Sequence, residues 1–257
     1  MPPSLLLPGG RTAVLGPDPV RPEALLLTVD GAEQSLIDPG DPRALHLEYL
    51  ARLGAVVDAA APPGEPLRVL HLGAGALALA RYVAATRPGS EQLAVESAAG
   101  LVEFVLEHAP LPRDARVRLL TADAAGPLPP WSADLVVLDV YDGDEIPEAF
   151  YRASVLAPLA ARVGADGLLA VNVADDADHR RLDRLRGVVR ELLPVTAAVG
   201  STAFVEGRTG GNAILLASGS ALADHVAGRL LRAGPHPVSG AADGDVVVAE
   251  VAVEVDP

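Results

Sequence analysis

The chain has no cysteine and no lysine, and aromatic residues are only 3% of its 257 positions. Without cysteine there are no disulfides, no thiolate metal sites and no cysteine nucleophile. With so few aromatics, the core has to be aliphatic, built from Ala, Val and Leu. The missing lysine, taken with the richness in Ala, Gly and Pro, reads as bias toward GC-rich codons and not as mechanism. Also missing is any apolar run near the roughly 18 residues of a membrane span that is free of Gly, Pro or charge. The opening MPPSLLLPGG carries three leucines but neither a basic start nor a long apolar stretch, so it does not read as a signal peptide. A cytoplasmic location is the expectation. Positive charge is scarce, 20 basic against 34 acidic side chains for a net −14. Such a surface repels phosphate backbones and favours cationic ligands, which argues against nucleic acid as a partner.

What is present is enough to fold. Half of the residues are hydrophobic, and the length suits one large α/β domain with a small appendage. Residues 1–60 read as a small β region and a connecting helix. Thr12–Leu15, Ala24–Val29 and Glu33–Ile37 are short apolar runs, with Asp30-Gly31 as a hairpin turn. Asp41 and Pro42 are suited to start a helix that runs to Ala60. From residue 61 to 257 the pattern alternates strand and helix. Strands are expected at Arg68–Leu72, Gln92–Glu96, Val117–Thr121, Leu135–Asp139 and Gly167–Val173. Helices are expected through Thr86, at Ala99–His108, at Pro147–Arg162 and over 178–193. Later strands are expected at Val195–Val199, Ala203–Val205 and Ala213–Ala217, and the acidic tail at 244–256 reads as an edge strand. This rhythm predicts a Rossmann-like, mostly parallel sheet with right-handed crossovers.

In an open α/β sheet ligands bind beyond the carboxyl ends of the strands. Past the first lie Gly73-Ala74-Gly75, where glycine lets backbone approach a ligand; the same residues also suit a plain tight turn. Past the second lies Glu96, about 20 positions on, suited to ribose hydroxyls or to mere solvation. The third ends near Asp123, which can accept from an adenine amine or cap the next segment. The fourth opens into Asp139–Glu145, with four carboxylates at Asp139, Asp142, Asp144 and Glu145. Crowding and burial there should raise at least one carboxyl pKa, the mark of a functional candidate. Asp139 is the sharpest of them because it ends an apolar strand. His71, within an apolar strand, reads as a core residue, and Trp131 as packing beside the fourth strand. No histidine spacing suits a metal. Asn172, at the end of the fifth strand, is a weaker candidate to face the cleft.

These residues resemble the spermidine synthases, the polyamine aminopropyltransferases, and within them the short divergent bacterial members. The resemblance spans roughly residues 28–218. Thr28-Val29-Asp30-Gly31-Ala32-Glu33-Gln34 looks like the family's strand with a DGxxQ pattern, and Leu47-Glu48-Tyr49-Leu50 looks like its following helix. Val69–Gly75 resembles its nucleoside loop, and Asp139-Val140-Tyr141-Asp142 its catalytic stretch. The resemblance implies transfer of an aminopropyl group from decarboxylated S-adenosylmethionine to putrescine, with no metal and no tightly bound cofactor. It implies Asp139 as the group that deprotonates and orients the amine, Asp142 as its electrostatic anchor, and Gln34 near the donor's sulfonium. Gly73, Gly75, Glu96 and Asp123 would hold the nucleoside. The partners implied are an adenosyl thioether, a cationic amine and a second copy of the chain in a homodimer. The chain departs from the family at Ala76, where an aspartate contacts the donor's amine, at Leu47, and beyond Asp142, where a proline-containing stretch is missing. Phe204 is the one candidate for the family's C-terminal aromatic that contacts the acceptor. Two other readings stay open, a methyltransferase that uses S-adenosylmethionine and a non-catalytic nucleoside-binding scaffold.

Overall fold

The run Leu135-Val136-Val137-Leu138 has no polar position, as a strand covered on both faces requires. In the computed structural model, which describes residues 1–143, 145–235, 239–242 and 245–248, all four of these side chains are buried. In chain order the elements are β1 (Ser4–Leu6), β2 (Thr12–Pro17), β3 (Leu25–Val29), β4 (Ala32–Ile37), α1 (Glu48–Ala59), β5 (Arg68–Leu72), α2 (Ala78–Thr86), β6 (Glu91–Glu96), α3 (Leu101–His108), β7 (Arg116–Thr121) and β8 (Ala133–Leu138). There follow a 3-10 turn at Glu148–Tyr151, α4 (Ala153–Ala160), β9 (Val163–Asp175), α5 (Arg180–Leu192), β10 (Val195–Gly200), α6 (Thr202–Val205), β11 (Gly211–Ser218), α7 (Leu222–Ala233), β12 (Ser239–Ala242) and β13 (Asp245–Val248).

The large sheet has the order β13-β12-β10-β11-β9-β8-β5-β6-β7. The five strands from β9 to β7 are mutually parallel, and β11 runs against β9. The predicted Rossmann-like architecture is therefore present. Alternate residues of each strand supply opposite faces. Val69, Val137 and Ile214 pack with Leu53 and Val57 of α1 and Val226 of α7, whereas Leu70, Val136 and Leu215 pack with Leu156 of α4 and Leu185 of α5. Arg87, fully buried, donates to the carbonyls of Val57, Asp58, Ala61, Pro62 and Glu65. It thereby satisfies carbonyls at the end of α1 that a helix terminus leaves open.

Several expectations change. The N-terminal region is a four-stranded antiparallel sheet in the order β1-β2-β3-β4, larger than the predicted hairpin. The three-residue β1 is too short for periodicity to reveal. The Asp30-Gly31 turn does join β3 to β4, with Asp30 and Gly31 both at positive φ. Residues 42–47 do not belong to α1. Asp41 instead accepts from the Arg43 amide at 3.1 Å in a local turn, and Leu45 folds back onto Gly54, where a side chain would come within 2.5 Å of it. The predicted helix at 147–162 divides at Arg152, whose backbone is extended. Ala203–Val205 is helical and not a strand, because Ser201 caps it through the Phe204 amide at 3.2 Å. Of the acidic tail, Asp245–Val248 is an edge strand on β12; Gly244 and residues 249–256 lie outside the described residues. Among the described residues no helix is long and apolar enough to cross a membrane.

Candidate active site

The parallel strands end at a cleft of about 670 Å3, within the roughly 300–1,000 Å3 of small-molecule sites. All seven residues singled out from the sequence line it, Gln34, Gly73, Gly75, Glu96, Asp123, Asp139 and Asp142. The N-terminal sheet forms one wall through Gln34 and Ser35 of β4 and Arg11 at the start of β2.

On one side of the cleft the backbone sets the geometry. Gly73 has φ +90°, and a Cβ there would lie 2.1 Å from the Asp139 carbonyl oxygen. Only glycine lets the turn after β5 pass so close to the end of β8. Gly75 is also at positive φ, and a Cβ there would meet the Ser35 side chain at 3.4 Å. Glu96 fixes this loop with both oxygens, accepting from the Ala74 amide at 3.1 Å and the Ala98 amide at 2.9 Å. Each carboxylate oxygen keeps a further acceptor site, so Glu96 can hold the loop and still take hydroxyl donors. Asp123 is exposed and accepts from the Ala125 amide at 2.8 Å through Oδ1. Ala76 is fully buried among apolar side chains and does not line the cleft.

On the other side, side chains from distant segments converge. Asp139 accepts from the Asn172 amide at 2.9 Å. Burial pushes its carboxyl from 3.8 up to about 6, against the opposing pull of that hydrogen bond. Two phenols stand nearby. Tyr141 donates to the Asn172 carbonyl at 2.9 Å and accepts from the Ala174 amide at 3.0 Å. Tyr49, on α1, donates to the Gln34 carbonyl at 3.4 Å. Burial first, and then the Asp139 charge, raises both phenols above their ordinary range, so both stay protonated. Asp142 is 82% exposed at the mouth and pairs with Arg11 at 3.6 Å. Among the described residues five carboxylates, Glu33, Glu96, Asp123, Asp139 and Asp142, line the cleft against one arginine, Arg11. Phenol rings and a buried carboxylate lining one cleft together suit an ammonium ion.

Of the other acids beyond β8, Glu145 pairs with Arg181 on the surface, and Asp144 lies outside the described residues. His71 is buried and bonded to Gln92 at 2.8 Å, with burial lowering its pKa to about 4, as a neutral core residue requires. Trp131 packs beside the core cluster that includes β8. Phe204 does not take the place of the acceptor-contacting aromatic; it is 1% exposed, packs on the His179 ring and is not part of the cleft. The sequence reading gave no role to Arg11, Tyr49, Tyr141 or Asn212. A usable signal existed for the phenols, since two of the four tyrosines of an aromatic-poor chain line this one cleft. Among the described residues no group of three or more His, Asp or Glu is placed to hold a metal ion.

Strand order and cleft position define a Rossmann-like protein of the methyltransferase type, with a small antiparallel sheet added at its N-terminus. Within that class the fold is spermidine synthase-like. A probable spermidine synthase from Corynebacterium glutamicum superposes with a TM-score of 0.80 at 26% identity, over 97% of this chain and 91% of that one. A spermidine synthase in complex with the transition-state analogue AdoDATO shares the fold at TM-score 0.58 and 14% identity, over 88% and 75% of the two chains. Human methyltransferase-like protein 13 in complex with SAH does so at TM-score 0.54 and 20% identity, over 72% and 91%. No protein-family model and no curated protein matches the sequence.

Proposed function

We propose that the chain is an aminopropyltransferase that moves the aminopropyl group of decarboxylated S-adenosylmethionine to putrescine or a similar amine. The observation that carries this reading is Asp139, a buried carboxylate near two phenols, in the same cleft as the glycine loop and Glu96. The likeness in fold to spermidine synthases supports it.

In this reading residues 61–257 bind the nucleoside and carry the chemistry, and residues 1–60 close the cleft from above. Gly73 and Gly75 leave room for the thioether, Glu96 takes the ribose hydroxyls and Asp123 the adenine amine. Gln34 lies near the sulfonium. The amine arrives as an ammonium ion, and Asp139 attracts it, orients it and accepts one proton. The freed nitrogen lone pair attacks the carbon beside the sulfonium. The carbon–sulfur bond breaks with its electron pair going to sulfur, and neutral 5′-methylthioadenosine leaves. Positioning and proton removal are the main tasks. Asp142 holds the distal ammonium, which displaces the Arg11 guanidinium from an exposed and therefore weak pair. The donor is a co-substrate, and the chain is a homodimer.

The experiment is incubation with decarboxylated S-adenosylmethionine, or with S-adenosylmethionine, and a panel of mono- and diamines, with products read by mass spectrometry. Aminopropylated diamine supports the proposal. Methylated product would replace it with the methyltransferase reading, and binding of 5′-methylthioadenosine without any transfer would leave the scaffold reading. Sedimentation at micromolar concentration tests the dimer, and a monomer alone would remove it.

A further inference from the structure

Beside Asp139 and Asn172 a second amide, Asn212, lines the cleft; its side chain also bonds to the Tyr141 phenol, and the proposed reaction gives it no part. Asn212, near the start of β11, donates from Nδ2 to Asn172 Oδ1 at 3.0 Å, and Asn172 in turn donates from Nδ2 to Asp139 Oδ1 at 2.9 Å. The two asparagines are diagonal neighbours on adjacent antiparallel strands, since Asn172 pairs with Ile214 and Ala174 with Asn212. Side chains at such diagonal positions point to the same face within reach of one another. Asn172 is 2% exposed. The Asn212 backbone is itself anchored, because Arg52, 1% exposed on α1, donates to its carbonyl at 3.4 Å.

An amide has a donor end and an acceptor end, and in a buried site the wrong end toward a neighbour costs free energy. An ionised carboxylate only accepts. Asn172 must therefore turn its NH2 toward Asp139 and its oxygen the other way, and that oxygen needs a donor. Asn212 is the donor. We infer that Asn212 is a positioning residue for Asp139, which it orients through the Asn172 amide. One carboxylate oxygen is then held from behind and the other is free for the ligand. This inference rests on the reading of Asp139 as the group that meets the ammonium ion. It adds a polar chain, Asn212 to Asn172 to Asp139, that presents a carboxylate and no donor, and so selects a cation with N–H groups.

The test reads Asp139 directly. In protein labelled with 13C at the aspartate carboxyls, the Asp139 resonance is assigned by its loss in Asp139→Asn and titrated with no donor or amine present. The titratable groups facing it are the Tyr49 and Tyr141 phenols, which stay protonated through this range. Loss of a hydrogen bond to the charged form should raise the midpoint, so Asn212→Ala should shift it up by about half a pH unit. Asn172→Ala should shift it at least as far, and the double variant should match Asn172→Ala alone, as a serial arrangement requires. If Asn212→Ala does not fold, Asn212→Leu keeps the volume, removes the donor and carries the same expectation. An unmoved midpoint, or shifts that add in the double variant, overturns the inference. Because the readout needs no turnover, its failure is separate from failure of the aminopropyl-transfer reading.

Discussion

The two sides of the cleft are built in different ways. The side proposed for the nucleoside, from β5 to β7, is made by backbone, with a glycine turn that no side chain can enter and one carboxylate that ties the loop to the next strand. The side proposed for the amine, from β8 to β11 with α1 above, is made by side chains whose positions in the sequence lie up to 163 residues apart, from Tyr49 to Asn212. The first is sterically intolerant. The second is polar, exposed at its mouth and tunable by charge.

That contrast can be broken most severely at Gly73. A methyl group there would overlap the Asp139 carbonyl, and the positive φ adds strain of its own. Gly73→Ala should cost about 3 kcal/mol or more of stability and abolish binding of 5′-methylthioadenosine, as read by thermal melting and calorimetry.

A pH series sharpens the comparison on the other side. If ionised Asp139 is the base, kcat/KM for the amine should fall about tenfold per pH unit below pH 6, while thioether binding stays level. Stability should respond with the opposite sign. The folded-state pKa is raised from 3.8 to about 6, so the stabilising contribution of the neutral acid is complete below about pH 4 and lost as pH rises through 6. Asp139→Asn should therefore melt higher than the parent at pH 7.5, by about 3 kcal/mol in stability, and close to it at pH 4.

Glu96→Ala removes the clamp on the Ala74 amide together with the acceptor proposed for the ribose, and should weaken 5′-methylthioadenosine about tenfold or more in calorimetry. An unchanged affinity would take Glu96 out of the site. The smallest effects belong to the mouth. Asp142 is exposed and its pair with Arg11 is screened, so Asp142→Asn should raise the KM for the amine only a few-fold. Arg11→Ala, which removes the competing cation, should lower that KM by about twofold.

The same contrast explains what was legible in the sequence. Apolar runs and glycine spacing are local, so the β5 turn, Glu96 and the strand ends at Asp123 and Asp139 could be placed one after another along the chain. Asn172 could be suspected as a polar residue ending an apolar strand. Asn212 could not be joined to it, because their contact depends on the antiparallel register of β9 and β11, which no local pattern encodes. Tyr49 was hidden for a related reason. The helix was expected to start at Pro42, whereas Leu45 folds back on Gly54 and α1 begins only at Glu48. Phe204 shows the reverse error, an aromatic offered to the cleft because it was available in sequence, which the one-turn α6 directs into the core.

The central claim is that Asp139 acts on the amine and not on the nucleoside, and Asp139→Asn measured both ways tests it most directly. Calorimetry with 5′-methylthioadenosine should give an affinity within about twofold of the parent, while aminopropyl transfer to putrescine at saturating substrates falls by roughly a hundredfold or more. Near-normal transfer by the variant, or loss of thioether binding in step with loss of turnover, would contradict the account.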